Sequence, residues 1–142
     1  MMLKSFFSLC AFFWLALSPL SAQSAETVFK GRPQLQITET ALNRVPKQIG
    51  EGEADGFECV ISKIGRRYYW ASRENRELVR VVSDGFITYV AVDGSGYVRL
   101  VDPQRKSSVS VVRGTEDRFD YVEHVLTGLR SMSYFGITRL GK

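Results

Sequence analysis

Two residues carry the side chains of a thiol nucleophile and its base. Cys59 is one of 2 cysteines, and His124 is the single histidine. Thiol catalysis needs a thiolate beside an imidazole, with a third group orienting that base. The two lie far apart in the chain, and neither is set in a motif of the known thiol-enzyme types. Strand alternation in Phe57-Glu58-Cys59-Val60-Ile61 puts Cys59 on one face with Phe57 and Ile61, an apolar setting that suppresses the thiolate. His124 falls opposite the apolar stripe of a helix expected around it. A thiol enzyme using Cys59 and His124 is therefore the second alternative, behind two non-catalytic readings. One His, one Cys and scattered carboxylates supply no zinc-type spacing, so no metal site is assigned. Gly94 and Gly96 follow a strand but complete neither a phosphate-binding loop nor a dinucleotide fingerprint, so no cofactor is assigned either.

The richest binding chemistry lies between Lys63 and Arg80. Lys63, Arg66, Arg67, Arg73, Arg76 and Arg80 face only Glu74 and Glu77, with Tyr68, Tyr69 and Trp70 among them. Guanidinium groups beside exposed rings stack on sugars, bases or a partner's aromatics. The candidate binding residues are Arg66, Arg67, Tyr68, Trp70, Arg73 and Arg76. Alternation puts Tyr68 and Trp70 on one strand face and Tyr69 on the other, so the three rings cannot form one platform. The competing reading makes Trp70 a core anchor, sets Arg80 against Tyr89 across a hairpin, and neutralises Arg73 and Arg76 on the acidic loop Glu51–Asp55.

These residues depend on a run of strands. Phe57–Lys63, Arg67–Ser72, Leu78–Ser83, Phe86–Val92 and Tyr97–Val101 are β-branched and aromatic runs separated by glycine-bearing turns. Asp84-Gly85 suits a two-residue type I′ turn, in which both residues take positive φ. That turn fixes the register Ser83–Phe86, Val82–Ile87, Arg80–Tyr89, Val79–Val90 and Leu78–Ala91. Apolar pairs on both faces imply a ribbon covered on both sides. Val109–Arg113 reads as a sixth strand. Phe119, Val122, Leu126 and Leu129 then recur at helical spacing, predicting an amphipathic helix over Glu116–Ser131, with Tyr134–Thr138 as a closing strand. Before the meander, residues 26–56 read as weakly structured: an edge strand at Gln34–Ile37, about two helical turns over Thr38–Val45, and an exposed acidic loop.

Residues 1–25 have the form of a cleaved signal peptide: Lys4, an uncharged apolar run Phe6–Leu17, Pro19, and small residues to Ala25. The run is too short to span a bilayer, which takes about 20 residues. Cleavage after Ala25 leaves 117 residues with no second domain, and losing Lys4 lowers the net charge from +4 to +3. That charge is too mild to imply nucleic acid. With Cys59 its sole cysteine, the exported chain has no internal disulfide.

The sequence thus predicts a small α+β domain, an antiparallel β-meander of five or six strands packed against one C-terminal amphipathic helix. The expected function is a periplasmic or secreted non-catalytic interaction module whose partner is a protein or cell-envelope component. The alternative is a binder of an acidic polymer or envelope glycan through residues 63–80. The oligomeric state is left open.

Overall fold

Strand periodicity governs far more of the chain than the sequence reading allowed. The computed structural model describes residues 23–104, 111–112 and 118–138; the expected signal segment, up to residue 22, lies outside the described residues. β1 (Glu26–Glu39) and β2 (Arg44–Gln48) lead into a helical turn, α1 (Glu51–Ala54), which runs on as a 3-10 turn over Asp55–Phe57. Then follow β3 (Cys59–Ile64), β4 (Arg67–Trp70), β5 (Arg76–Ser83), β6 (Phe86–Ala91) and β7 (Gly96–Val101). β8 (Val111–Val112) pairs with β9 (Arg118–Phe119) as a small separate ribbon, and β10 (Tyr121–Thr127) and β11 (Arg130–Thr138) are the last described strands.

The strands close on themselves. Neighbours run β1-β3-β4-β5-β6-β7-β10-β11, all antiparallel, and β11 returns to pair with β1. The result is an eight-stranded antiparallel barrel, with β2 added to the second half of β1 as a ninth strand. Closure removes the open edges that a meander would leave. β1 makes it possible: its first half, Glu26–Gly31, pairs with β3, and Gly31–Glu39 pairs with β11. Irregularities between Thr27 and Phe29 and between Pro33 and Leu35 bend it around the corner. The second places Pro33, which has no N–H to offer a ladder, at a break in pairing. It also reverses the strand's faces. Phe29 and Gly31 face the barrel interior, whereas Leu35 and Ile37 join Phe119 and Phe135 in a small apolar cluster outside it.

The expected α+β arrangement is therefore overturned: no C-terminal amphipathic helix packs on a meander. The segment expected as a helix over Glu116–Ser131 supplies β9, β10 and the turn into β11. Its helical spacing was a coincidence of side chains from different environments. Phe119 is buried in the outer cluster, while Leu126 and Leu129 are 46% and 96% exposed. The decisive period is two: Tyr121, Glu123 and Val125 share the inward face, while Val122, also buried, is outside the interior cluster, and Gly128, at φ +58, makes the hairpin turn to β11. Residues 26–56 are likewise structured. The helical turns expected over Thr38–Val45 are replaced by the β1–β2 hairpin, and the supposed acidic loop is α1, with Ala54 buried.

Within 57–101 the strands fall where the sequence places them. Asp84 and Gly85 take φ of 54° and 82°, and the observed register is Ser83–Phe86 through Leu78–Ala91. Coverage differs from expectation. Leu78 and Ala91 face the interior, but Val79 and Val90 are 54% and 41% exposed on the outer wall. One side of this ribbon is open.

The interior is filled rather than hollow along most of its length. Phe29, Ile61, Trp70, Leu78, Val98 and Tyr121 are among its contributors, and large apolar side chains buried this fully each stabilise the fold by about 1.5–3 kcal/mol.

Candidate ligand-binding site

The barrel has two unlike ends. One is plugged. Ala54 and Ile49 pack into the core there, and Phe57 stacks on Tyr134 with centroids 5.8 Å apart. Beneath the plug lies a buried polar cluster. The Trp70 indole Nε1 donates to Glu123 Oε1 at 2.9 Å, and Arg73 donates through Nε and Nη2 to Oε1 and Oε2 at 3.1 and 3.0 Å. Glu123 is wholly buried. Burial pushes its pKa up, opposed chiefly by the Arg73 charge and the bonds from Arg73 and Trp70. With donors on both oxygens, the arrangement is that of a carboxylate. The Arg73 guanidinium, which burial alone would weaken, is held above its ordinary pKa by Glu123, and it lies over the Tyr134 ring at 5.3 Å.

Cys59 joins this cluster. Its thiol is fully buried, and burial followed by the Glu123 charge pushes its pKa well up. That is the opposite of an activated thiolate. His124 is on the other side of the barrel wall, stacked on Tyr97 at 5.2 Å, with Nδ1 2.9 Å from Ser133 Oγ. The wall separates the two residues that a thiol enzyme would bring together. Among the described residues no three His, Cys, Asp or Glu side chains gather as metal ligands.

The six residues singled out for binding are dispersed. Trp70 is in the interior, Tyr68 is half-buried against Tyr89, and Arg73 is engaged with Glu123. Arg76 pairs with Glu74 and Asp93 at 3.5 and 3.9 Å, and Arg67 with Glu77 at 3.8 Å. The acidic turn at 51–55 takes Lys47 and Arg32 instead of Arg73 and Arg76. Arg66 is exposed in the β3–β4 turn. Sequence reasoning missed Glu123 because it was absorbed into a helix; the alternation Tyr121-x-Glu123-x-Val125 was the available signal.

The other end opens onto a cavity of about 450 Å3. Phe29, Ile87 and Leu100 form its apolar wall, with Tyr89 beside them and Asp120 and Thr138 at the rim. An eight-stranded barrel is just wide enough either to be filled by side chains or to hold one small ligand. The volume lies within the range of small-molecule sites, about 300–1,000 Å3. Asp120 is already occupied: its Oδ1 accepts the Thr138 N–H at 2.6 Å and the Thr138 hydroxyl at 3.1 Å. A second, more polar groove of about 390 Å3 lies outside the barrel between β1, β2 and α1, lined by Arg32, Gln34, Gln48 and Glu51 among others. The mouth is the better candidate because inward-facing core side chains shape it.

No known family model, curated protein or solved structure matches this chain.

Proposed function

We propose that the protein is a small exported, non-catalytic binding module that holds a small, largely apolar molecule in the open mouth of its barrel. Export rests on the signal-like leader, and the absence of a catalytic role on the separation of Cys59 from His124. One observation carries the binding reading: a plugged end opposite an end where Phe29, Ile87, Leu100 and Tyr89 surround about 450 Å3 of space. Apolar walls of this kind gain about 25 cal/mol for each Å2 they and a ligand remove from water.

The neutral, polarity-sensitive dye N-phenyl-1-naphthylamine tests this. It should bind one per chain with a blue-shifted emission. Leu100→Trp, which fills the cavity, should abolish binding without lowering the thermal midpoint by more than a few degrees. A wild-type protein that leaves the dye dark, or a Leu100→Trp variant that binds it unchanged, would sink the reading.

A further inference from the structure

The cations among the described residues are unequally satisfied. Seven lysines and arginines among the described residues, Arg67, Arg73 and Arg76 included, each have a carboxylate oxygen within 4 Å. Lys63, Arg66, Arg80, Arg99 and Arg130 make no such pair among the described residues. Of these, Lys63 and Arg80 lie behind the cavity wall, paired across strands with Tyr68 and Tyr89, of which Tyr89 lines the cavity. Lys63 lies next to the end of β3, opposite Tyr68, and Arg80 lies in β5 opposite Tyr89. Tyr68 and Tyr89 face inward, their rings 5.3 Å apart, and strand pairing puts Lys63 and Arg80 on that same face.

A chain of contacts runs from these charges to the cavity. Arg80 is the direct cross-strand partner of Tyr89, and Tyr89 lines the cavity. The Lys63 ammonium sits 5.9 Å from the centroid of the Tyr68 ring, which rests on Tyr89. The acids nearby are placed differently. Glu26 opposes Lys63 across β1 and β3, and Asp84 sits in the β5–β6 turn, bonded by Ser83. Asp120 lies on the far side of the ring of strands, next to β10, and is held by Thr138. The mouth thus has Arg80 and Lys63 on its β3–β5 side, with Glu26 across from Lys63, the Asp120 carboxylate on its β10–β11 side, and apolar walls between.

We infer that the ligand of the mouth is an anionic amphiphile, with its alkyl or aromatic body against Phe29, Ile87 and Leu100 and its anionic head on Arg80 and Lys63. This rests on the proposed use of the mouth as a ligand site, and adds the chemical class and orientation. Asp120 repels the head from its own side, so the two sides reinforce one direction of entry. Arg80 presents a planar fork to a carboxylate or phosphate, while Lys63 adds a point charge. The cavity has room for about fifteen waters at ~30 Å3 each, which suits a chain of about ten carbons.

The experiment uses displacement of N-phenyl-1-naphthylamine by three probes of equal chain length at pH 8: decanoate, decanol and decyltrimethylammonium. Decanoate should displace the dye at least tenfold more tightly than decanol, with the cationic probe weakest. Arg80→Gln combined with Lys63→Gln should remove about tenfold from decanoate affinity and leave the dye and decanol unchanged. Both sites lie behind the cavity wall, and the retained dye signal confirms that the variant is folded. Equal affinity for decanoate and decanol, or no loss in the double variant while the dye still binds, overturns the anionic-head inference alone. Failure of the wild type to bind the dye overturns the mouth as a ligand site, and this inference with it.

Discussion

Arg73 and Glu123 form a two-point ion pair, Nε to Oε1 at 3.1 Å and Nη2 to Oε2 at 3.0 Å, that ties the turn after β4 to the middle of β10. The carboxylate is fully buried, whereas the arginine side chain is 25% exposed. The pair is therefore dry at one partner and damp at the other. Its net worth is small compared with the cost of breaking it, because removing one partner strands the other charge.

Arg73→Met should destabilise the protein by about 3 kcal/mol, the lower end of the range for a broken buried pair, since water reaches the guanidinium site. Arg73→Met combined with Glu123→Gln should recover more than half of that loss. Urea unfolding at pH 7 measures both. A single variant within about 0.5 kcal/mol of wild type would show that the pair is not buried as described.

Alkaline pH should unfold this protein earlier than its charge alone suggests. Cys59 and Tyr121 are both raised, each by burial first; Cys59 is raised next by Glu123, and Tyr121 by Cys59. A folded pKa above the unfolded value means that stability is complete below the unfolded pKa and is lost as pH climbs toward the folded one. For Cys59 the loss begins near the unfolded thiol value of about 8.5, with a slope of up to ~1.4 kcal/mol per pH unit. Tyr121 adds a second slope from about pH 10. Urea midpoints at pH 7, 9 and 10 should fall progressively, and Cys59→Ala should flatten the fall between 8.5 and 10. A flat profile in the wild type would contradict the burial of the thiol.

Two glycines in neighbouring positions should respond very differently to alanine. At Gly96, φ is +151°, and an added Cβ would run into the His124 carbonyl and the Trp70 ring. Backbone on the facing strand cannot step aside, so Gly96→Ala should cost about 3 kcal/mol or more, as close steric conflicts in a core do. Gly94, at φ +74°, points into open space, and Gly94→Ala should cost only the left-handed penalty of about 1–2 kcal/mol. Comparing thermal midpoints of the two variants checks the packing of β7 against β10. Equal losses would mean that the two strands are not in the contact described.

The sequence was most readable where local chemistry decided the outcome. Asp84-Gly85 permits one tight turn, and the register of β5 and β6 followed from it. Reading failed where two periods competed. Phe119, Val122, Leu126 and Leu129 satisfy a helical stripe, and Tyr121, Glu123 and Val125 satisfy a strand; only the partners supplied by Trp70 and Arg73 decide between them. β1 was obscured for a different reason. Burial alternates without a break from Phe29 to Ile37, but Gly31 and Pro33 occupy two of the buried positions, so the apolar pattern that would mark a strand is interrupted. The binding segment misled because its aromatics and cations look alike in sequence whether they point into the barrel or out. Lys63 and Arg80 pair across strands with Tyr68 and Tyr89, while Trp70 and Arg73 are drawn to Glu123.

The seam between β1 and β11 also sets the order in which the barrel is built. Gly31 pairs with Thr138 and Glu39 with Ser131, contacts between the first and last strands of the fold, whereas every other wall joins neighbours along the chain or nearly so. Hairpins such as β5–β6 form in microseconds, but a seam closing so long a loop bears an entropy cost that nothing local offsets. The seam should therefore be late, the step that sets the folding rate. Until it joins, the chain is a curled open sheet with two bare edges, and it is at this stage that one molecule is most exposed to pairing with another.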